Sequence, residues 1–211
     1  MKRFNIVTEA DARVLEYGST IALAPGGHVT PLARDTLTAR RITVVADVPD
    51  ADVAALAPVA AIKTVAVAGD HTSLALKAAL IQHFRGRGLA AHDLGTTTTD
   101  PVDYPDTAAA AARQVVRGEA DAAVVIDGAG LGSCIAANKI PGARAAMCLN
   151  ETLARYARQH NGANVLALGS TLVSTAEAIA IADVFIDTAM REARYIRRLA
   201  KIRALETRPH S

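Results

Sequence analysis

From Ile62 onward, short runs of small and β-branched apolar residues alternate with stretches whose apolar residues recur at helical spacing. Thr64-Val65-Ala66-Val67-Ala68 reads as a buried strand, and residues 73–85 as a helix carrying Leu74, Leu76, Leu80, Ile81 and Phe84. The pattern recurs: strand-like runs at 90–94, 122–126, 143–148 and 164–168 are separated by helical stretches near 105–117, 133–139 and 150–159. Such alternation predicts an α/β fold, a parallel sheet covered on both faces. Ligands of such sheets sit beyond the carboxyl ends of the strands, which directs attention to the loops that follow them.

Residues 1–60 differ in character. Thr8-Glu9-Ala10-Asp11 opens a short helix, residues 20–24 form an apolar strand, and Pro25-Gly26-Gly27 reads as a turn. Thr30 and Pro31 mark the cap and first position of another helix, and residues 41–46 a second short strand. An Ala-rich link then runs from Val48 to about residue 61. The expected organisation is a small N-terminal extension module, 1–60, joined to a larger domain, 61–211.

With 51% apolar residues the chain has the material for a buried core and is expected to fold. A formal charge of +2 with both signs interspersed offers no basic stripe, and 3% aromatic residues leave few stacking platforms, so nucleic acid is not an expected partner. Cys134 and Cys148 are the only cysteines and read as free thiols; no spacing suggests a metal site, and no cofactor is expected. The opening Met1-Lys2-Arg3-Phe4-Asn5 leads to Glu9 and Asp11 rather than to an apolar signal core, and the apolar run 164–182 carries Glu177 and several hydroxyl residues. The expectation is a cytoplasmic protein with no membrane partner.

Three loops on the predicted carboxyl edge look chemical: Gly69-Asp70-His71 after the first strand, Gly95 to Tyr104 after the second, and Asp127 to Gly132 after the third. Asp127-Gly128-Ala129-Gly130-Leu131-Gly132 follows a strand and opens a helix, so its backbone N–H groups can converge on an anion. The alternative is a tight turn that lets helix and sheet pack closely. Asp70-His71 also follows a strand, where a carboxylate can orient an imidazole or contact a hydroxyl; alternatively Asp70 or Thr72 caps the next helix. His160-Asn161 before Gly162 reads as a helix C-terminal signal. Arg194 and Arg198 lie one turn apart on a C-terminal helix, either as an anion clamp or as a solvated basic face.

Taken together these segments resemble the ribose-5-phosphate isomerase B family, which includes the galactose-6-phosphate isomerase subunits. The motifs that carry the resemblance span roughly 62–204. They are Gly69-Asp70-His71, Val102-Asp103-Tyr104-Pro105-Asp106, Gly128-x-Gly130-x-Gly132 with Ile135-Ala136-Ala137-Asn138-Lys139, Arg158-Gln159-His160-Asn161, Asn164-Val165-Leu166-Ala167, and residues 194–202. The resemblance implies a Rossmann-like three-layer sandwich that forms a homodimer or higher homo-oligomer, with each active site shared between copies. It implies aldose–ketose isomerisation of a sugar phosphate through an enediol, without metal. By position His160 opens the sugar ring, Asp70, Tyr104 and Asn161 contact sugar hydroxyls, and His71, Arg194 and Arg198 hold the phosphate. The N–H groups of the Gly128, Gly130, Gly132 loop would stabilise the enediolate.

The chain departs from the family where the base should be. The usual cysteine is Asp127, the glutamate used by another branch is Ser133, and the hydroxyl residue two places beyond the cysteine is Ala129. A carboxylate, with a reference pKa of about 3.9, is a weaker proton acceptor than a thiolate of about 8.5, although burial raises its basicity. The expectation is isomerisation with Asp127 in place of the thiolate. The alternatives are lyase or hydrolase chemistry on another small anion, or a silent scaffold. Residues 6–11 and 29–34 resemble the leading segment of bacterial microcompartment proteins such as ethanolamine-utilisation accessory proteins. That likeness implies shell or cargo contact through residues 1–60; the other reading is an extension of the dimer interface.

Overall fold

The computed structural model describes residues 2–46 and 56–206. The chain divides into two compact units, residues 1–53 and 54–211. Much of the Ala-rich link lies outside the described residues.

In the first unit, β1 (Arg3–Val7), α1 (Glu9–Val14), β2 (Thr20–Val29), α2 (Pro31–Ala39) and β3 (Thr43–Ala46) follow one another. The strands form a parallel sheet in the order β1-β2-β3. Thr8 caps α1 in a reciprocal box with Asp11, and Thr30 caps α2 with Pro31 at its first turn. Val7, Ala12, Leu15, Ile21, Ala33, Leu37 and Ile42 make the core. Two expectations need correction. Residues 3–7, not anticipated as a strand, pair with β2, and Pro25-Gly26-Gly27 does not turn the chain. Those residues lie inside β2 as a bulge opposite Asn5, where the register jumps from Phe4↔Leu23 to Ile6↔His28. A Cβ on Gly27 would stand 2.6 Å from the Asn5 carbonyl oxygen, so the glycine admits the neighbouring strand.

The second unit contains β4 (Thr64–Gly69), α3 (Leu74–Gly86), β5 (Ala90–Asp93), α4 (Tyr104–Val116), β6 (Ala122–Asp127), α5 (Leu131–Ala137), β7 (Ala145–Met147), α6 (Glu151–Asn161), β8 (Val165–Gly169), α7 (Thr175–Asp187) and α8 (Ala193–Glu206). Its five strands are all parallel, in the order β5-β4-β6-β8-β7. Period-two alternation sorts the strand residues by size. Val65, Val67, Val124, Ile126, Leu166 and Leu168 meet Leu80 and Phe84 of α3 and Ile181 and Phe185 of α7. Ala66, Ala68, Ala123, Val125 and Ala167 meet Ala108, Ala111 and Ala112 of α4. Small residues on both sides bring α4 close to the sheet, while the large ones fill the opposite layer. The result is the expected α/β three-layer, Rossmann-like sandwich. Its switch point lies between β4 and β6, where the chain leaves in opposite directions along the sheet. Among the described residues no helix is long and apolar enough to cross a membrane.

Candidate active site

β6 is buried along its whole length and ends in Asp127, paired in register with Gly169 of β8. The carboxylate does not point into solvent. Its Oδ1 accepts the N–H of Ala129 at 2.9 Å and that of Gly130, and its Oδ2 accepts the N–H of Ser133 at 2.7 Å. Gly130 makes this possible: it has φ 76°, and a Cβ there would lie 2.7 Å from the Leu168 carbonyl carbon. Burial pushes the Asp127 carboxyl up, but hydrogen bonds from Ser133, Gly130 and Ala129 outweigh it and hold the group below its ordinary value. The expectation that burial raises its basicity is therefore corrected. A second correction concerns the glycine loop: its anion is the chain's own carboxylate, so the Ala129 and Gly130 N–H groups are already engaged.

Asp70, His71 and Tyr104 stand at the same edge. The Asp70 N–H donates to the Ile126 carbonyl at 3.1 Å, which ties the loop after β4 to the end of β6. Its Oδ1 accepts the N–H and the hydroxyl of Thr72, a local turn; the N-cap of α3 is Ser73, so neither Asp70 nor Thr72 caps that helix. His71 Nδ1 accepts the Val102 N–H at 3.3 Å, which leaves the ring proton on Nε2. Tyr104, at the first turn of α4, lies with its ring against Gly132, where a Cβ would come within 2.5 Å of it. Gly128 completes the group; its carbonyl accepts the Thr171 hydroxyl at 2.6 Å.

The remaining predicted residues lie elsewhere. His160 and Asn161 end α6, Gly162 closes the helix at φ 57°, and β8 begins at Val165. They stand at the amino end of β8, whereas Asp127 is level with its carboxyl end; five residues of strand put about 15 Å between the two edges. Arg194 and Arg198 belong to α8, which packs on α6 at that amino edge; the Arg194 side chain is not among the described ones. One copy therefore brings Asp127, Asp70, His71, Tyr104, Gly128, Gly130 and Gly132 together and leaves His160, Asn161 and Arg198 at the opposite end. A cavity of about 300 Å³ also lies at the amino edge, lined by Asp121, Asn164, Leu199 and Glu206 among others, away from Asp127.

His160 contacts two aromatic rings, stacked on Tyr156 at 4.6 Å and 16° and tilted against Tyr195 at 4.5 Å and 32°; the Arg198 guanidinium stands 5.5 Å from the Tyr195 centroid. Neither tyrosine was singled out in the sequence, although Tyr156 and His160 have the i, i+4 spacing of neighbours on one helix face. Arg158 is fully buried below them. It donates to the carbonyls of Thr188, Ala163 and Val59, lies over the Phe185 ring, and is pushed down to about 10 by burial and then by the charge of Arg144. It anchors the end of the helix that carries His160. Among the described residues no group of histidine, cysteine and carboxylate side chains could hold a metal ion.

Comparison with known proteins shows the family. A family model described as Ribose/Galactose Isomerase matches residues 65–202. Ribose-5-phosphate isomerase B of Escherichia coli is 38% identical over 146 residues, 69% of this chain and 98% of that protein. A probable ribose-5-phosphate isomerase B of Mycoplasma pneumoniae is 40% identical over 141 residues, 66% of this chain and 93% of that protein. Among solved structures, ribose-5-phosphate isomerase B of Clostridium thermocellum superposes with a TM-score of 0.67 at 40% identity, covering 68% of this chain and 97% of the other. The Mycoplasma genitalium enzyme, solved with bound ribulose-5-phosphate, gives 0.66 at 37%, covering 69% and 97%. With its parallel sheet, its glycine loop after β6 and this breadth of match, the chain belongs to the ribose/galactose isomerase family.

Proposed function

We propose that the chain is an aldose–ketose isomerase of a phosphorylated sugar, with Asp127 as the proton-transfer base and each site completed by a second copy. The observation that carries this reading is the Asp127 carboxylate at the switch-point edge, ionised at neutral pH and fixed by three N–H donors. A carboxylate offers about four lone-pair positions, so three bonds leave one, on Oδ2, to take a proton. Removal of the C2 proton of an open-chain aldose by Oδ2 leaves its electron pair in a C1–C2 enediolate. Return of that proton to C1, with the O2 proton passing to O1, gives the ketose. His71 Nε2–H holds the phosphate from one side. Asp70 and Tyr104 contact sugar hydroxyls.

The groups at the amino edge cannot reach this carboxylate within one copy. A second copy supplies His160 for ring opening, Asn161 for a hydroxyl, and Arg194 and Arg198 for the phosphate. Leu131 and Ile135 of α5 and Leu149 and Leu153 near α6 are 57, 62, 46 and 44% exposed, which supports a homodimeric contact beside the glycine loop. Residues 1–60 are assigned on the same footing to assembly or encapsulation in a bacterial microcompartment.

A second reading has one specific observation in its favour. Asp127 occupies the loop donors that an enediolate would use, which suits lyase or hydrolase chemistry on another small anion. A panel of aldose phosphates separates the two: turnover that falls at least about 100-fold in Asp127→Asn, with phosphate-compound binding retained, supports the isomerase. No turnover on the panel by the intact chain sinks it.

A further inference from the structure

We propose that Tyr156 and Tyr195 are positioning residues that aim the His160 imidazole for sugar-ring opening, an inference that rests on the reading of His160 given above. The chain has four tyrosines and no tryptophan, and two of the four contact one imidazole, Tyr156 stacked on it and Tyr195 tilted against it. Tyr156 reaches it from one helical turn earlier on α6, and Tyr195 from α8. Side-chain torsions to planar rings have broad, roughly two-fold wells, so a histidine at a helix end would otherwise sweep its nitrogens through a wide arc. With two rings centred about 4.5 Å away, one stacked and one tilted, the imidazole loses much of that arc and its nitrogens keep a narrower range of directions.

Ring opening needs that restriction. As the bond from C1 to the ring oxygen breaks, the ring oxygen takes its electron pair and a proton from the imidazole. The anomeric hydroxyl returns a proton as C1=O forms, so none is gained or lost. Both transfers require the nitrogen edge to stay within hydrogen-bond reach of two oxygens in turn. The Arg198 guanidinium rests against the same Tyr195 ring, which links the placement of the phosphate-binding charge to that of the imidazole.

The test compares a sugar that closes into a ring with one that does not. Ribose 5-phosphate forms a furanose; erythrose 4-phosphate, its C4 oxygen esterified, does not. Tyr156 is 48% exposed, so its replacement leaves the core intact. Tyr156→Ala should lower kcat on ribose 5-phosphate about ten-fold, with KM and the rate on erythrose 4-phosphate within about two-fold, and Tyr156→Phe should restore it. If the intact chain converts only the cyclising sugar, the kcat against KM split decides: Tyr156→Ala should lower kcat with KM within about two-fold, and Tyr156→Phe should keep both. Equal losses on both sugars, a loss carried by KM, or no loss at all would overturn the positioning role. His160→Ala isolates the parent reading: selective loss on ribose 5-phosphate upholds it. If His160→Ala shows no selectivity, or the intact chain converts neither sugar, both readings fall together.

Discussion

Oδ2 of Asp127 accepts the backbone N–H of Ser133 across a 2.7 Å hydrogen bond. This ties the end of β6 to the first turn of α5, whose N-cap residue is Gly130, so one carboxylate both holds the start of a helix and is the proposed base. These bonds hold the group ionised and would weaken it as the proposed base, so stability and proton transfer would pull against each other at this residue.

Asp127→Cys relieves that conflict. A thiolate is a stronger base by several pKa units, and the substitution frees the Ala129 and Gly130 N–H groups for an enediolate. Isomerase turnover should rise above that of the intact chain at about pH 8–9, with a rate that climbs as the thiol ionises. A coupled assay across pH checks this; no gain at any pH would show that the carboxylate is not the limiting base.

The depressed Asp127 carboxyl also dictates a pH dependence of stability. A folded pKa below the unfolded value contributes stability that is full above about 3.9 and is lost as pH falls through the folded value. Asp127→Asn should cost roughly 2 kcal/mol or more near neutrality, since charge-assisted bonds to backbone N–H groups are lost. The gap between the two proteins should close below about pH 4. Urea unfolding at several pH values measures it.

Sites shared between copies can be tested by mixing. On ribose 5-phosphate, Asp127→Asn and His160→Ala should each be inactive alone as homodimers. Mixed and re-equilibrated in equal amounts, they should recover about a quarter of the intact activity, because half the dimers are mixed and each carries one unaltered site. A site formed within one copy would recover nothing.

Gly130 and Gly132 should respond differently to alanine. At Gly130 the added methyl meets the rigid backbone of Leu168 and a left-handed φ, so Gly130→Ala should cost more than about 1 kcal/mol in stability. At Gly132 it meets the Tyr104 ring, which is 40% exposed and can swing away. Gly132→Ala should therefore leave the stability within about 1 kcal/mol and raise KM instead. Thermal unfolding beside steady-state kinetics separates the two.

Much of the second unit was legible because its signals are local. The Val-Ala alternation of β4 and the apolar spacing of α3 state strand and helix within a few residues, and Gly130 and Gly162 mark turns by their own chemistry. The first unit shows the limit. Pro25-Gly26-Gly27 carries a turn signal, yet pairing with β1 absorbs it as a bulge, and only the partner strand determines that.

The order of elements, the parallel sheet and the set of polar residues on the strand-end loops are thus properties of the sequence, since periodicity and turn chemistry depend on neighbours along the chain. What Asp127 touches, and which predicted residues share an edge, were decided by tertiary structure. A carboxylate at a strand end can face solvent, substrate or its own backbone, and the sequence is the same in each case; the N–H groups that capture it converge where Gly130 takes a left-handed φ against the Leu168 backbone of β8. The Tyr156–His160–Tyr195 stack has the same origin, joining residues of α6 and α8 far apart in the chain.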